Sequence, residues 1–255
     1  MKPFAVSTGT TTNMNCKINM LTCRNRSIDE TSASETLLTL GDASCPVRQA
    51  YEIARKFYYR ARSSHDWDHS LRVYNLCARI GEKEGADMTT LRIAALLHDI
   101  GRHAQDVSRG AICHAQHGAR MAGPAVRQLP VSDDRKDNII HCIQSHRFRG
   151  TTPPRTLEAR VLFDADKLDA IGAVGVARAF LFAGEVGARL HSPEADVYAS
   201  EPYSRDDTGF REFKVKLCRI REKILTAEGR RIADQRHEFM ELFFKRFLEE
   251  YEGKR

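Results

Sequence analysis

A chain of 255 residues, 42% apolar and 29% charged, can bury a full core as one large domain or two small ones. The apolar fraction excludes a wholly disordered chain, and no run approaches the ~18 apolar residues of a membrane helix. The formal net charge of +6 contains no basic run of five or more, so a mixed solvated surface is expected rather than a nucleic-acid footprint.

Residues 1–45 differ in kind from the rest. Lys2, Lys17, Arg24 and Arg26 balance Asp29, Glu30, Glu35 and Asp42, so the positive excess lies wholly on 46–255. The Thr8–Thr12 stretch, many Asn and Ser, and the lack of any sustained period predict a disordered leader. Its acid-poor start also resembles a transit peptide, but it has neither an Arg-rich amphipathic helix nor the apolar core of a secretory signal. Seven cysteines without a CxxC pair read as reduced thiols. A cytoplasmic protein is expected, with organelle targeting as the alternative.

From Cys45 the pattern turns helical. Val47, Tyr51, Ala54, Phe57 and Tyr58 step at three to four residues. After Ser63 and Ser64, Leu71, Val73, Leu76, Cys77 and Ile80 form a second stripe, closed by Gly81 and Gly85. Leu91 and Ala94 to Leu97 make a short, nearly all-apolar helix, which should be buried. Further helices are expected over 112–129, 133–146, 155–168 and 171–185, with Pro130, Pro153 and Pro154 between them. Residues 186–208 read as a long loop, and helices over 209–226 and 228–251 follow. No two-residue alternation and no repeat appears. The expected fold is a single all-α domain over 46–255.

Eight of the ten histidines lie between His65 and His146. His65 and His69, in His65-Asp66-Trp67-Asp68-His69, share a helix face at i,i+4; a polar helix start capped by an aspartate is the plainer account of that segment alone. His98-Asp99 changes the balance. Two adjacent ionisable residues at the end of a buried helix are costly unless paired or metal-bound. Asp164, Asp166 and Asp169 stand among Leu162, Phe163, Leu168 and Ile171. Together these groups point to a metal site assembled from three helices, with nitrogen and oxygen ligands suited to Mn, Fe, Ni, Co or Mg. Cys113-His114-x-x-His117 lacks a partner pair for zinc, so a helix-surface or pocket-lining role is expected there. His191 and His237 carry no motif and are expected at the surface.

The order His69…His98-Asp99…Asp166, in the local contexts HDWDHSLRV, AALLHDIGR and DADKLDAIGAVGVARAF, resembles the HD superfamily of metal-dependent phosphohydrolases. The last segment and the later helices through RRIADQRHEFM resemble its YedJ/YpgQ-like branch. The resemblance spans roughly residues 50–250 and implies an HD-domain helical bundle. It implies one divalent ion on His69, His98, Asp99 and Asp166, with Asp164 as the fallback ligand, as a helix cap or as an orienting group. The HHE and GYP motifs of binuclear members are absent, which favours one metal. Asp169, at i+3 from Asp166, is expected to pair with an arginine. His141 and His146 match a His-x4-His of the branch, and His146-Arg147 at a helix end is a candidate phosphate contact.

A divalent ion makes hydroxide available near neutral pH and neutralises charge on a phosphoryl oxygen. Asp99 is the expected proton acceptor, with Lys167 and His146 as further catalytic candidates. Arg72, Arg102, Arg147, Arg149 and Lys167 are the candidates to hold phosphates. Monophosphate nucleotidases of the superfamily carry Glu shortly after His-Asp, where this chain has Arg102; that departure favours a more highly charged substrate. The branch is associated with hydrolysis of nucleoside triphosphates to monophosphate and pyrophosphate. The expected partner is therefore a small phosphorylated molecule, a nucleotide, with no membrane and no nucleic acid; a homo-oligomer is compatible with the sequence. The alternatives are a phosphodiesterase or phosphatase for another phosphorylated metabolite, and a non-catalytic nucleotide-binding module. The intact ligand set argues against the module.

Overall fold

The computed structural model describes residues 42–58, 67–147 and 150–255. The expectations for the leader as far as residue 41, for His65 and Asp66, and for Arg149 lie outside these residues. Among the described residues there are helices and turns and no strand. They are α1 (Pro46–Tyr58), α2 (Trp67–Glu84), α3 (Met88–Leu97), α4 (Arg102–Val107), α5 (His114–Gln128), α6 (Asp133–Ser145), α7 (Leu157–Leu168), α8 (Gly172–Glu185), α9 (Gly209–Val215), a 3₁₀ turn (Leu217–Lys223) and α10 (Ala227–Tyr251). No helix among them is long and apolar enough to cross a membrane.

The apolar run at 93–97 decides the architecture. Leu91, Ile93 and Ala94 to Leu97 are fully buried, and burying each Leu or Ile gains roughly 1.5–3 kcal/mol. A helix whose last five residues are apolar on every side must lie against neighbours there, and α3 packs against α1, α2, α6 and α7. Its start is set by Asp87, whose carboxylate accepts from the Thr90 backbone N–H. Thr156, Thr208 and Thr226 cap α7, α9 and α10 in the same way. A second apolar cluster joins α8, α9 and α10, where Phe213 stacks on Phe244 at 4.5 Å between ring centres.

The chain departs from the sequence pattern in four places. Gly81 does not close α2, which runs on to Glu84; a Cβ there would lie 2.5 Å from Leu91 Cδ2, so the glycine lets α2 and α3 approach. Gly85, at φ +76°, makes the turn instead. The single helix expected over 209–226 breaks at Lys216, where a 3₁₀ turn takes over, and Asp164 accepts the backbone N–H groups of Leu225 and Thr226 only further on, where the chain enters α10. The short helix α4 follows the His-Asp turn without an amphipathic signal. Finally, His191 and His237 are buried, not at the surface. The His191 ring meets Phe210, Phe247 and Tyr251 edge-on, and His237 Nε2 lies 3.3 Å from Glu241. An imidazole has enough apolar surface to fill such gaps between helices.

Candidate active site

Asp99 sits in the turn after α3, almost wholly buried, with a different set of histidines facing each carboxylate oxygen. Oδ2 is 3.9 Å from His69 Nε2 on α2. Oδ1 is 3.5 Å from His114 Nε2 at the start of α5 and 3.8 Å from His146 Nε2 just after α6. Glycine makes this convergence possible. A Cβ on Gly101 would lie 2.4 Å from the His114 carbonyl oxygen and 2.6 Å from the Gly118 nitrogen. Only with hydrogen at position 101 can the first turns of α5 close against the His-Asp turn.

Four imidazoles are oriented by the same device. His98 Nδ1 donates to the Ala95 carbonyl and His146 Nδ1 to the Ile143 carbonyl, both at 2.7 Å. His114 Nδ1 donates to Gln105 Oε1 at 2.7 Å, and His69 Nδ1 to Asp169 Oδ2 at 2.8 Å. An acceptor at Nδ1 places the proton there and turns the lone pair of Nε2 inward, the tautomer a metal ligand needs. His98 Nε2 is buried and has no hydrogen-bond partner among the described residues. Leaving such an acceptor unmet costs about 1–3 kcal/mol, which a divalent ion would offset. The donor set therefore fits a metal.

Two groups offer ligand atoms within 4.8 Å of one another: His69, His98 and Asp99, and, sharing Asp99, His114 and His146. The pattern read from the sequence favours one site; the folded chain presents two sets around one carboxylate. His114 is pocket-lining rather than on a helix surface, being buried with its Nε2 3.1 Å from His146 Nε2.

Asp166, on α7, brings Oδ1 to 3.4 Å from His69 Nε2, while Lys167 Nζ donates to its Oδ2 at 2.6 Å. Asp164 points elsewhere, because residues two apart on a helix diverge by about 200°. Its oxygens accept from Leu225 N, Thr226 N and Thr226 Oγ1 at 2.6–2.9 Å, so it anchors the start of α10. Lys167 Nζ also donates to the His146 carbonyl and lies over the Phe163 ring. Arg102 Nε is 3.5 Å from Asp99 Oδ2 and Nη1 3.4 Å from His114 Nδ1. Arg147 lies beside the Cys113 thiol at the start of α5. Arg72, expected on substrate, donates from Nε and Nη2 to Asp169 at 2.7 and 3.0 Å. Arg178 on α8 does the same from Nη1 at 2.8 Å. The sequence pattern carries no signal for Arg178 or Gln105, since both reach the site through tertiary packing.

The electrostatics follow from burial and carboxylates. Burial alone would lower His69, but Asp166, Asp169 and Asp99 outweigh it and raise its pKa to about 9. Burial, with His146 and His69 beside it, lowers His98 to about 4. Burial, then His146, lowers His114 to about 2. Burial would raise Asp166, yet Lys167 and His69 hold its carboxyl well below the usual carboxylate range. The pocket thus sets a cationic His69 beside neutral His98 and His114 and the ionised carboxylates of Asp166 and Asp169, and a metal ion at His69 Nε2 would displace the proton there.

The HD domain family model matches residues 66–171. The uncharacterized protein YpgQ of Bacillus subtilis (strain 168) is 37% identical over 196 residues, covering 75% of this chain and 86% of YpgQ. The chain belongs to the HD-domain family. Within that family it is of the YpgQ-like branch. A crystal structure of Bacillus subtilis YpgQ in complex with ADP aligns at TM-score 0.61 and 31% identity, covering 84% of this chain and 96% of YpgQ. An HD-superfamily hydrolase from Bacillus thuringiensis aligns at TM-score 0.65 and 25% identity, covering 81% and 96%. The fold is that of the HD-superfamily hydrolases.

Proposed function

We propose that this HD-domain protein is a metal-dependent phosphohydrolase that cleaves nucleoside triphosphates to a monophosphate and pyrophosphate. The observation that carries the reading is the buried Asp99 carboxylate among four imidazoles whose Nε2 atoms face inward. The ADP held by YpgQ supports a nucleotide as the substrate class. His69, His98, Asp99 and Asp166 would hold a divalent ion such as Mn. The ion would supply charge neutralisation on a phosphoryl oxygen and hydroxide at neutral pH.

The chain's own groups would do the rest. Asp99, buried among Arg102 and the imidazoles, takes up a proton at Oδ1, beside His114 and His146. His146 passes that proton on or donates to a phosphate oxygen. Arg102 offers a planar guanidinium next to Asp99, and Arg147 extends the cationic side of the pocket at the start of α5. Lys167 holds Asp166 and the His146 carbonyl in place and brings a point charge to the same wall. One water adds across the α–β anhydride: a P–O bond forms to the water oxygen, the bridging P–O bond breaks, pyrophosphate leaves, and the two water protons go to the product phosphates and to solvent.

A panel of nucleoside mono-, di- and triphosphates with Mn, Co, Ni and Mg tests this, assaying pyrophosphate and orthophosphate separately. Pyrophosphate in step with monophosphate is expected. Orthophosphate from monophosphates with no pyrophosphate from triphosphates would overturn the reading. Metal analysis of the loaded protein counts the ions: one if only the His69, His98, Asp99 group fills, two if Asp99, His114 and His146 form a second site.

A further inference from the structure

Asp169 lies one residue past the end of α7, on no ligand list, yet it is buried and carries three charged partners. Oδ2 accepts from His69 Nδ1 at 2.8 Å, from Arg72 Nη2 at 3.0 Å and from Arg178 Nη1 at 2.8 Å, and Oδ1 accepts from Arg72 Nε at 2.7 Å. Arg178 Nη1 also reaches the Asp169 carbonyl at 3.3 Å. Arg236 of α10 donates to the carbonyl of the preceding residue, Leu168. Residues from α2, α8 and α10 thus converge on one turn, and two of them, Arg178 and Arg236, lie beyond the matched segment 66–171.

A lone buried carboxylate on an imidazole would be a costly and mobile arrangement. Here a fork of two N–H groups from Arg72 fixes the carboxylate plane, and Arg178 closes the second side. With the carboxylate plane fixed, the imidazole that donates to it is fixed as well, in both rotation and tautomer. His98, His114 and His146 lean on uncharged carbonyl or amide oxygens; His69 alone among the four leans on a carboxylate, which makes its Nε2 the more basic donor to a cation.

We propose that Asp169, braced by Arg72 and Arg178, is a positioning residue that sets the orientation and donor strength of His69 toward the metal ion. The inference rests on the metal-site reading above. It adds that α8, outside the matched segment, is required for a full-strength site.

The test measures Mn²⁺ binding to the metal-free full-length protein by calorimetry and the visible absorption of the Co²⁺-loaded protein, with folding followed separately by circular dichroism. Asp169→Asn keeps the shape and removes the charge; it should bind Mn²⁺ about 10–100-fold more weakly and shift the Co²⁺ bands. Arg178→Gln, which leaves Asp169 in place, should lose about tenfold, the lower end of that range. Wild-type affinity and an unchanged Co²⁺ spectrum in Asp169→Asn would overturn the proposal. So would a loss that merely tracks its unfolded fraction, as a structural role requires. If Asp169→Asn does not fold, Arg178→Gln decides alone, and wild-type affinity in it overturns the bracing. His69→Ala separates the two levels: undiminished Mn²⁺ binding there sinks the metal site itself, whereas loss there with normal Asp169→Asn sinks only the positioning role.

Discussion

Two aspartates on one helix, two residues apart, have opposite occupations. Asp166 faces His69, while Asp164 accepts the backbone N–H groups of Leu225 and Thr226 just ahead of α10. Sequence context favours Asp166 as the ligand, and the 200° divergence along α7 supplies the geometric reason for choosing between them. The two substitutions should therefore part company. Asp164→Ala should lower stability by about 3 kcal/mol, because it strands buried donors, while Mn²⁺ stoichiometry stays at the wild-type value. Asp166→Ala should lose metal with little change in the stability of the metal-free protein. Thermal melts in chelator and metal analysis after dialysis check both, and Asp164→Ala with normal stability but no metal would reverse the assignment. His114 shows the limit of reading motifs by spacing. Its Cys-His-x-x-His context has no partner pair in the chain, so nothing linear links it to Asp99, although their polar atoms are 3.5 Å apart.

At the level of elements, the site is made by close approach of helices rather than by any one motif. The apolar run of α3 carries His98 and Asp99 deep, because after Arg92 every residue of the helix is apolar and buried. What brings α5 to them is the Gly101–Gly118 contact. Gly101→Ala should cost about 1–3 kcal/mol by overpacking and should cut turnover, since His114 would be pushed away from Asp99. Gly123→Ala, within α5, is the control: a Cβ there meets nothing within 4 Å, and removing glycine from a helix interior should gain about 0.5–1 kcal/mol. Chemical denaturation of both, alongside turnover at saturating substrate, distinguishes local overpacking from a general intolerance of α5. The break at Lys216 belongs to this scale too. The helical pattern of the sequence runs on through 209–226, whereas the chain tightens to a 3₁₀ turn after Lys216 and is extended at Ile224, just before the two backbone N–H groups that Asp164 accepts.

Across the whole molecule, a few charged groups tie together helices distant in sequence. Asp87 accepts from Thr90 at the start of α3 and from Arg135 on α6, and its own backbone N–H donates to Glu158 on α7. Partial burial would raise the Asp87 carboxyl, but the Thr90 N–H and Arg135 outweigh it and lower its pKa below the ordinary 3.8. A carboxyl whose folded pKa is depressed contributes stability that is fully present above its unfolded pKa and is lost as pH falls through the folded value. Asp87→Ala should accordingly cost about 1 kcal/mol at pH 7 through the lost cap. The gap to wild type should narrow below about pH 4, as protonation removes the same charge from the wild-type protein. Urea melts at pH 7 and pH 3 measure it; a gap constant across that range would mean the Asp87 charge contributes nothing.

The all-helical class, the buried α3, the helix boundaries set by Thr caps and prolines, and the membership of His69, His98, Asp99 and Asp166 in one chemical pattern are all written in the linear order of residues, because periodicity and local capping act over a few positions. The second face of Asp99, the bracing of Asp169 by Arg72 and Arg178, and the burial of His191 and His237 are not. Each depends on which helix faces meet, and that is settled by packing and by charges 30 to 100 residues apart in sequence, as between His114 and His146 and between His69 and Asp169. Local pattern tells which groups the chain has available for a metal and a phosphate; only the tertiary structure decides which nitrogen and which oxygen of each group face the same few ångströms of space.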